Sequence, residues 1–83
     1  MLNMLEKEIN KILADWNPLS VPQYISEYEY VSYVPHLKLL GNNEYEIKKY
    51  LIKVTKKMGI TGDDKLIAHD IDGVTKKIIN LYK

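Results

Sequence analysis

The side chains that could carry acid–base or nucleophilic chemistry here are two histidines, His36 and His69, and three serines, Ser20, Ser26 and Ser32. No serine sits in a G-x-S-x-G elbow, and no acid is spaced to orient either histidine as a base. On a helical wheel His69 points away from the apolar stripe around it, so a solvated imidazole is the better reading. His36 directly follows Pro35 and reads as a polar group at a helix surface or core edge. The chain has no cysteine, which removes thiol catalysis, thiolate metal sites and disulfides. No catalytic residue is expected, and the sequence does not read as an enzyme.

Two acidic runs invite a metal reading. Asp70-Ile71-Asp72-Gly73 looks briefly like the middle of a calcium loop, but that loop needs an acid at 68 and a bidentate glutamate at 79. The chain has Ala68 and Ile79 there. Asp63 and Asp64 precede a helical pattern, where capping and the helix dipole account for them. No metal or cofactor is expected.

Lys49, Lys53, Lys56 and Lys57 span roughly 100° of one helix, a basic stripe that could meet nucleic acid. The net charge is only +1, every basic residue is lysine, and arginine is absent. Bidentate recognition of phosphate or guanine is therefore not on offer. Glu44 and Glu46 share that helix, no aromatics interleave with the lysines, and no glycine-rich phosphate loop occurs. Nucleic acid is the disfavoured alternative, and a solvated basic face is the simpler account.

The remaining signal is WNPLSVPQYISEYEYVSY, residues 16–33, with the only tryptophan, two of three prolines and four of seven tyrosines. Phenylalanine is absent, so tyrosine and one tryptophan supply every aromatic. Tyr24, Tyr28, Tyr30 and Tyr33, interleaved with Glu27 and Glu29, form an aromatic, acidic corner bounded by proline. Tyrosine is enriched in contact patches because it contributes area at low rotamer cost. The competing reading has these rings closing the core of a bundle that lacks phenylalanine. The four tyrosine spacings do not fit one helical face, so not all can point inward. The expected docking residues are Tyr24, Glu27, Tyr28, Glu29 and Tyr33, turned toward a basic protein partner or, equally, toward the seam of a homodimer.

Helices must position these groups. Leu2, Leu5, Ile9, Ile12, Leu13 and Trp16 define an amphipathic helix over residues 2–16, ended because Pro18 drives Asn17 out of the α region. Ser20 is placed to cap a short helical piece opening at Val21-Pro22. Tyr28 to Tyr33 alternates briefly as a strand would, but no second strand exists to pair with it. Val31, Val34, Leu37 and Leu40 give helical spacing, so a kinked helix is expected there, bent or restarted at Pro35 and ended by Gly41. Asn42 or Asn43 caps the next helix, whose buried stripe is Ile47, Tyr50, Leu51, Val54 and Met58, with Gly59 as its stop. A turn at 61–64 leads to a last helix carrying Ile67, Ile71, Val74, Ile78 and Leu81, with Gly73 as a weak point.

Eighty-three residues make one domain, 1–83, with an all-α fold expected: a compact bundle of about four helices and a short extra helical turn after the first. No apolar run approaches a membrane span, and the opening MLNMLEKEIN has no apolar signal core. Neither membrane nor secretion is expected, and a cytoplasmic setting follows.

The stretch also resembles a known family. Trp16-Asn17-Pro18, Glu27-Tyr28-Glu29-Tyr30, Ser32-Tyr33-Val34-Pro35 and Leu39-Leu40 look like the W-(D/N)-P, E-Y-x-x-Y-(V/I)-P and L-L signature of the YugE-like small bacterial domain of unknown function. Tyr50-Leu51 and Met58-Gly59-Ile60 sit where that pattern has Y-L and a closing M-G-hydrophobic. The match spans about residues 12 to 60. It implies a compact helical bundle and no catalytic residue. Similar small bacterial domains sometimes serve as immunity- or antitoxin-type binders, an analogy that implies a protein-binding role.

Overall fold

The computed structural model describes residues 3–19, 21–59 and 64–83, with 64–69 by backbone alone. Leu2, Ser20, the 61–63 turn with Asp63, and the side chains of Ile67 and His69 lie outside the described residues. Among the described residues the chain is all-α, with no strand.

Helix α1 runs Met4–Trp16 and opens on a reciprocal capping box. Asn3 Oδ1 accepts from the Glu6 N–H at 2.8 Å, while the Asn3 N–H donates to Glu6 Oε1 at 3.2 Å. It ends as Pro18 requires: Asn17 takes the left-handed conformation (φ 45°, ψ 62°) and donates its N–H to the Leu13 carbonyl at 2.9 Å. The same residue clamps the turn that follows. Its Nδ2 donates to the Val21 carbonyl at 2.7 Å, and its Oδ1 accepts the Val21 N–H at 3.1 Å.

The short helical piece expected after Val21-Pro22 is helix α2, Gln23–Glu29. The kinked helix expected beyond it is broken into a 3₁₀ turn, Val31–Tyr33, and a new helix α3, Val34–Leu40. Pro22 occupies the N-cap position of α2 with no side-chain cap, so the helix opens just after the proline. Pro35 sits in the first turn of α3, where a missing N–H costs nothing. It marks a new start, and Gly41 (φ 63°) closes the helix.

Helix α4, Glu44–Lys57, is capped by Asn43, whose Oδ1 accepts the Glu46 N–H at 3.2 Å. Its acids lie at the positive end and Lys56 and Lys57 at the negative end, as the dipole favours. Helix α5 is Asp64–Asn80. Gly73 is exposed within it, and a Cβ there would meet nothing within 4 Å. Gly73→Ala is therefore expected to stabilise the fold by about 1 kcal/mol, raising the thermal midpoint. An unchanged or lower midpoint contradicts this.

The α1 helix is the hub: α2, α3 and α5 all pack on it, and α4 leans on α5 and α3. Their shared core is Ile9, Leu13, Tyr30, Val34, Leu37, Ile47, Leu51, Ile71, Val74 and Ile78. Leu5, Ile12, Trp16, Tyr50, Met58 and Leu81 pack against it half-buried, which sustains the expected stripes. The buried hydroxyls of Ser26, Thr55 and Thr75 each donate to a carbonyl of their own helix, at 2.7 to 3.0 Å. They are satisfied locally and hold no chemistry in reserve. No helix among the described residues is long and apolar enough to cross a membrane.

Candidate functional site

Helical geometry sorts the tyrosine stretch. In α2 the buried side is marked by Ser26, 1% exposed and turned inward. Tyr24 and Tyr28 stand one turn apart on the opposite side, 73% and 75% exposed. Glu27 and Glu29 flank them, also exposed, with Ile25 beside them at the surface. Four of the five expected docking residues therefore share one short helix and face outward together.

Tyr33 departs from the expectation. It belongs to the 3₁₀ turn, is half-buried, and packs against the core. The change of helical geometry at Tyr30 turns the residues that follow off the α2 face, so Tyr33 is a core-edge ring and not part of the patch.

Tyr30 goes further inward. It is 1% exposed, and its hydroxyl donates to Asn17 Oδ1 at 2.8 Å and accepts the Leu19 N–H at 3.0 Å. Among the large side chains of the corner it is the one fully enclosed, and it satisfies a loop donor that would otherwise be stranded. One tyrosine thus fastens the corner, which leaves Tyr24 and Tyr28 without a structural duty. Burial holds the Tyr30 phenol above its ordinary value near 10, opposed by the hydrogen bond from Leu19 and reinforced by Glu29 and Tyr33. Burial raises Tyr50 in the same way, with a smaller contribution from Tyr33.

The unfolded chain loses its phenolic protons first, so the stabilising difference is fully present below about pH 10 and is lost as pH rises through the folded-state pKa. Unfolding free energy is expected to fall above about pH 10, and more shallowly in Tyr30→Phe than in the parent. Identical alkaline slopes in denaturant titrations would contradict the assignment.

An open groove of about 800 Å³ runs between α1 and α2, bordered by Lys7, Lys11, Asp15, Gln23, Glu27 and Tyr28. Asn10 ties its two walls, donating Nδ2–H to the Glu27 carbonyl at 2.9 Å. Its Oδ1 is buried and has no hydrogen-bond partner among the described residues. The docking face is thus the outer lip of a polar groove of mixed charge.

The lysine stripe is where the helical wheel puts it. Lys49, Lys53, Lys56 and Lys57 are exposed on the side of α4 away from Ile47 and Leu51. The expectation that no aromatics accompany them is corrected. His36 stacks on Tyr50 with ring centroids 4.2 Å apart and planes 19° from parallel. The two rings share a shallow pocket of about 140 Å³ with Lys49, Lys53, Leu40 and Glu46. The contact joins α3 to α4 across fourteen residues of sequence, so no local pattern announces it. His36 is a surface group as expected, and among the described residues no carboxylate hydrogen-bonds to it.

The acidic run at 70–73 resolves simply. Asp72 pairs with Lys48, which also meets Glu44 at 3.3 Å, so the false calcium motif is a link between α4 and α5. The hydrogen bond to Asp72, then the one to Glu44, holds the Lys48 ammonium above its usual value. Among the described residues no group of three or more His, Cys, Asp or Glu gathers as a metal site.

Compared with known proteins, the chain matches no family model, no curated protein and no solved structure. Its own residues carry the functional reading. Besides Ile25, four exposed apolar groups had no part in the docking expectation: Tyr45 at 70% and Ile52 at 41% on α4, Leu39 at 85% on α3 and Met4 at 76% on α1. The first two were within reach of a helical wheel, since they stand opposite Ile47 and Leu51.

Proposed function

We propose that this chain is a non-enzymatic protein-binding module that docks through the outer face of α2. The observation that carries it is the pair Tyr24 and Tyr28, one turn apart, three-quarters exposed and flanked by Glu27 and Glu29. Exposed aromatic rings rimmed by charge mark interaction surfaces. The acids favour a basic partner and would speed the encounter more than deepen affinity. Kinship with the YugE-like domains and an immunity- or antitoxin-type role belong to the same proposal on the resemblance alone, and a cytoplasmic setting belongs to it on the sequence composition.

Photo-crosslinking tests the face. A photoreactive amino acid in place of Tyr24 or Tyr28 should trap a protein in cells, while one in place of exposed Lys76 on α5 should not. Equal trapping at all three positions, or trapping at none, overturns the reading.

A second reading has one observation in its favour. The His36–Tyr50 stack places an aromatic plane beside Lys49 and Lys53, and single strands bind where stacking surfaces meet a basic track. Lys56 and Lys57 would extend that track. If so, affinity for a single-stranded oligonucleotide should fall with rising salt, with a logarithmic slope of about −2 to −3 for three or four phosphate contacts. His36→Ala should weaken binding further. Binding that ignores salt, or no binding at low salt, removes this reading.

A further inference from the structure

Among the described residues, five of the seven exposed large apolar side chains gather on two faces of opposite charge, while Leu39 on α3 and Met4 on α1 stand apart. On α2, Tyr24, Ile25 and Tyr28 stand among Glu27 and Glu29. On α4, Tyr45, Lys49, Ile52 and Lys56 follow one another at spacings of four, three and four, which sets them on a single ridge, with Lys53 beside it. The α2 helix packs on α1, whereas α4 packs on α3 and α5. Tyr24, Tyr28 and Tyr45 all stay exposed, so neither face covers the other within one chain. Glu27, Glu29, Lys49, Lys53 and Lys56 form no ion pair with any described residue.

We propose that the α2 face docks on the α4 ridge of a second copy of this chain, in a head-to-tail contact. The inference rests on the α2 docking reading and names its partner. Charge decides the geometry. A two-fold α2-to-α2 contact would set Glu27 and Glu29 against their own counterparts. In an antiparallel α4-to-α4 contact Glu44 and Glu46 would offset Lys56 and Lys57 at the ends but leave Lys49 and Lys53 to repel near the centre. The unlike pairing opposes Glu27 and Glu29 to Lys49, Lys53 and Lys56 while covering tyrosine with tyrosine and isoleucine. Lys7 and Lys11 border the groove on the Glu27 side and offset that carboxylate in part, so Glu29 carries the larger share of the attraction. The α2 face is a single seven-residue helix, which suits the small, transient end of protein interfaces. The contact is therefore weak, concentration-dependent and weakened by salt. A contact between unlike faces does not close on itself in pairs, so the assembly grows past the dimer or forms a ring.

Sedimentation with a charge swap tests this. Variant one is Glu27→Lys/Glu29→Lys and variant two is Lys49→Glu/Lys53→Glu, each checked for unchanged helical circular dichroism. At low salt the parent's weight-average mass should climb from one chain toward two or more between micromolar and millimolar protein, and molar salt should return it to one. Each variant alone should stay at one, because its two faces then carry the same sign. An equimolar mixture of the variants should regain the parent's rise. A parent that stays monomeric throughout, a mixture that stays monomeric, or a single variant that associates like the parent overturns the inference. Crosslinking at Tyr28 separates this from the reading it rests on. Product at twice the mass of the chain supports self-association. Product only with a different protein overturns it and leaves the α2 face standing, and no product at Tyr24 or Tyr28 overturns both.

Discussion

Tyr30→Phe is expected to lower the unfolding free energy by about 1–3 kcal/mol, and Tyr30→Ala by about 3–5 kcal/mol. The smaller loss comes from the hydroxyl alone. Without it the Leu19 N–H loses its acceptor, and Asn17 Oδ1 keeps only the Val21 N–H. A stranded donor near the core costs more than the net worth of the bond it made. The larger loss adds a cavity amid Ile9, Leu13, Val34 and Leu37, which share the core with the ring. Small domains hold only about 5–15 kcal/mol in total, so the alanine variant should sit close to the edge of folding. Urea unfolding reads both numbers, and Tyr28→Phe, at an exposed position, should change stability by less than about 0.5 kcal/mol. Equal effects at positions 28 and 30 would mean that the corner is not fastened through Tyr30.

The opposite pattern is expected for Tyr24→Ala/Tyr28→Ala. Stability should move by less than about 0.5 kcal/mol per site, because neither ring is packed. Binding to whatever the α2 face engages should weaken by roughly 30-fold for either ring and more than 100-fold for both, at about 2 kcal/mol per anchoring tyrosine. Glu27→Gln/Glu29→Gln should act differently, slowing association at low salt with little change in dissociation. Tyr33→Ala serves as the contrast: half-buried against the core, it should cost stability and impair binding only through unfolding. Full affinity in the double alanine variant, measured by titration calorimetry with the purified partner, would remove the docking face.

These two results separate tyrosines that the sequence presents as one cluster. What periodicity could supply was the frame. Ile9 and Leu13, Ile47 with Leu51 and Val54, and Ile71 with Val74 and Ile78 are buried where a 3.6-residue repeat puts them. The stops at Asn17, Gly41 and Gly59 follow from Pro18 and from residues that tolerate positive φ. The sorting of the tyrosines was less accessible, because it depends on a bond from Tyr30 to Asn17, thirteen residues back, and to a backbone donor at Leu19. No local pattern encodes such a contact. Even so, the sequence contained a hint, since Ser26 and Tyr30 are four apart and Tyr24 and Tyr28 fall opposite them on the same wheel. The helical phase through 23–30 separates Tyr24 and Tyr28 from Tyr30, whereas Tyr33 lies beyond it. The His36–Tyr50 stack had no comparable hint, because it depends on how α3 crosses α4.

The account turns on one division of labour: Tyr30 closes the corner so that Tyr24 and Tyr28 can remain outside. Nitration of the dilute, folded protein with tetranitromethane, followed by peptide mapping, tests it most directly. Tyr24 and Tyr28 should be modified early, together with Tyr45, while Tyr30 should stay unmodified until denaturant unfolds the chain. Nitration of Tyr30 as fast as Tyr28, or protection of Tyr24 and Tyr28 in the monomer, would contradict it.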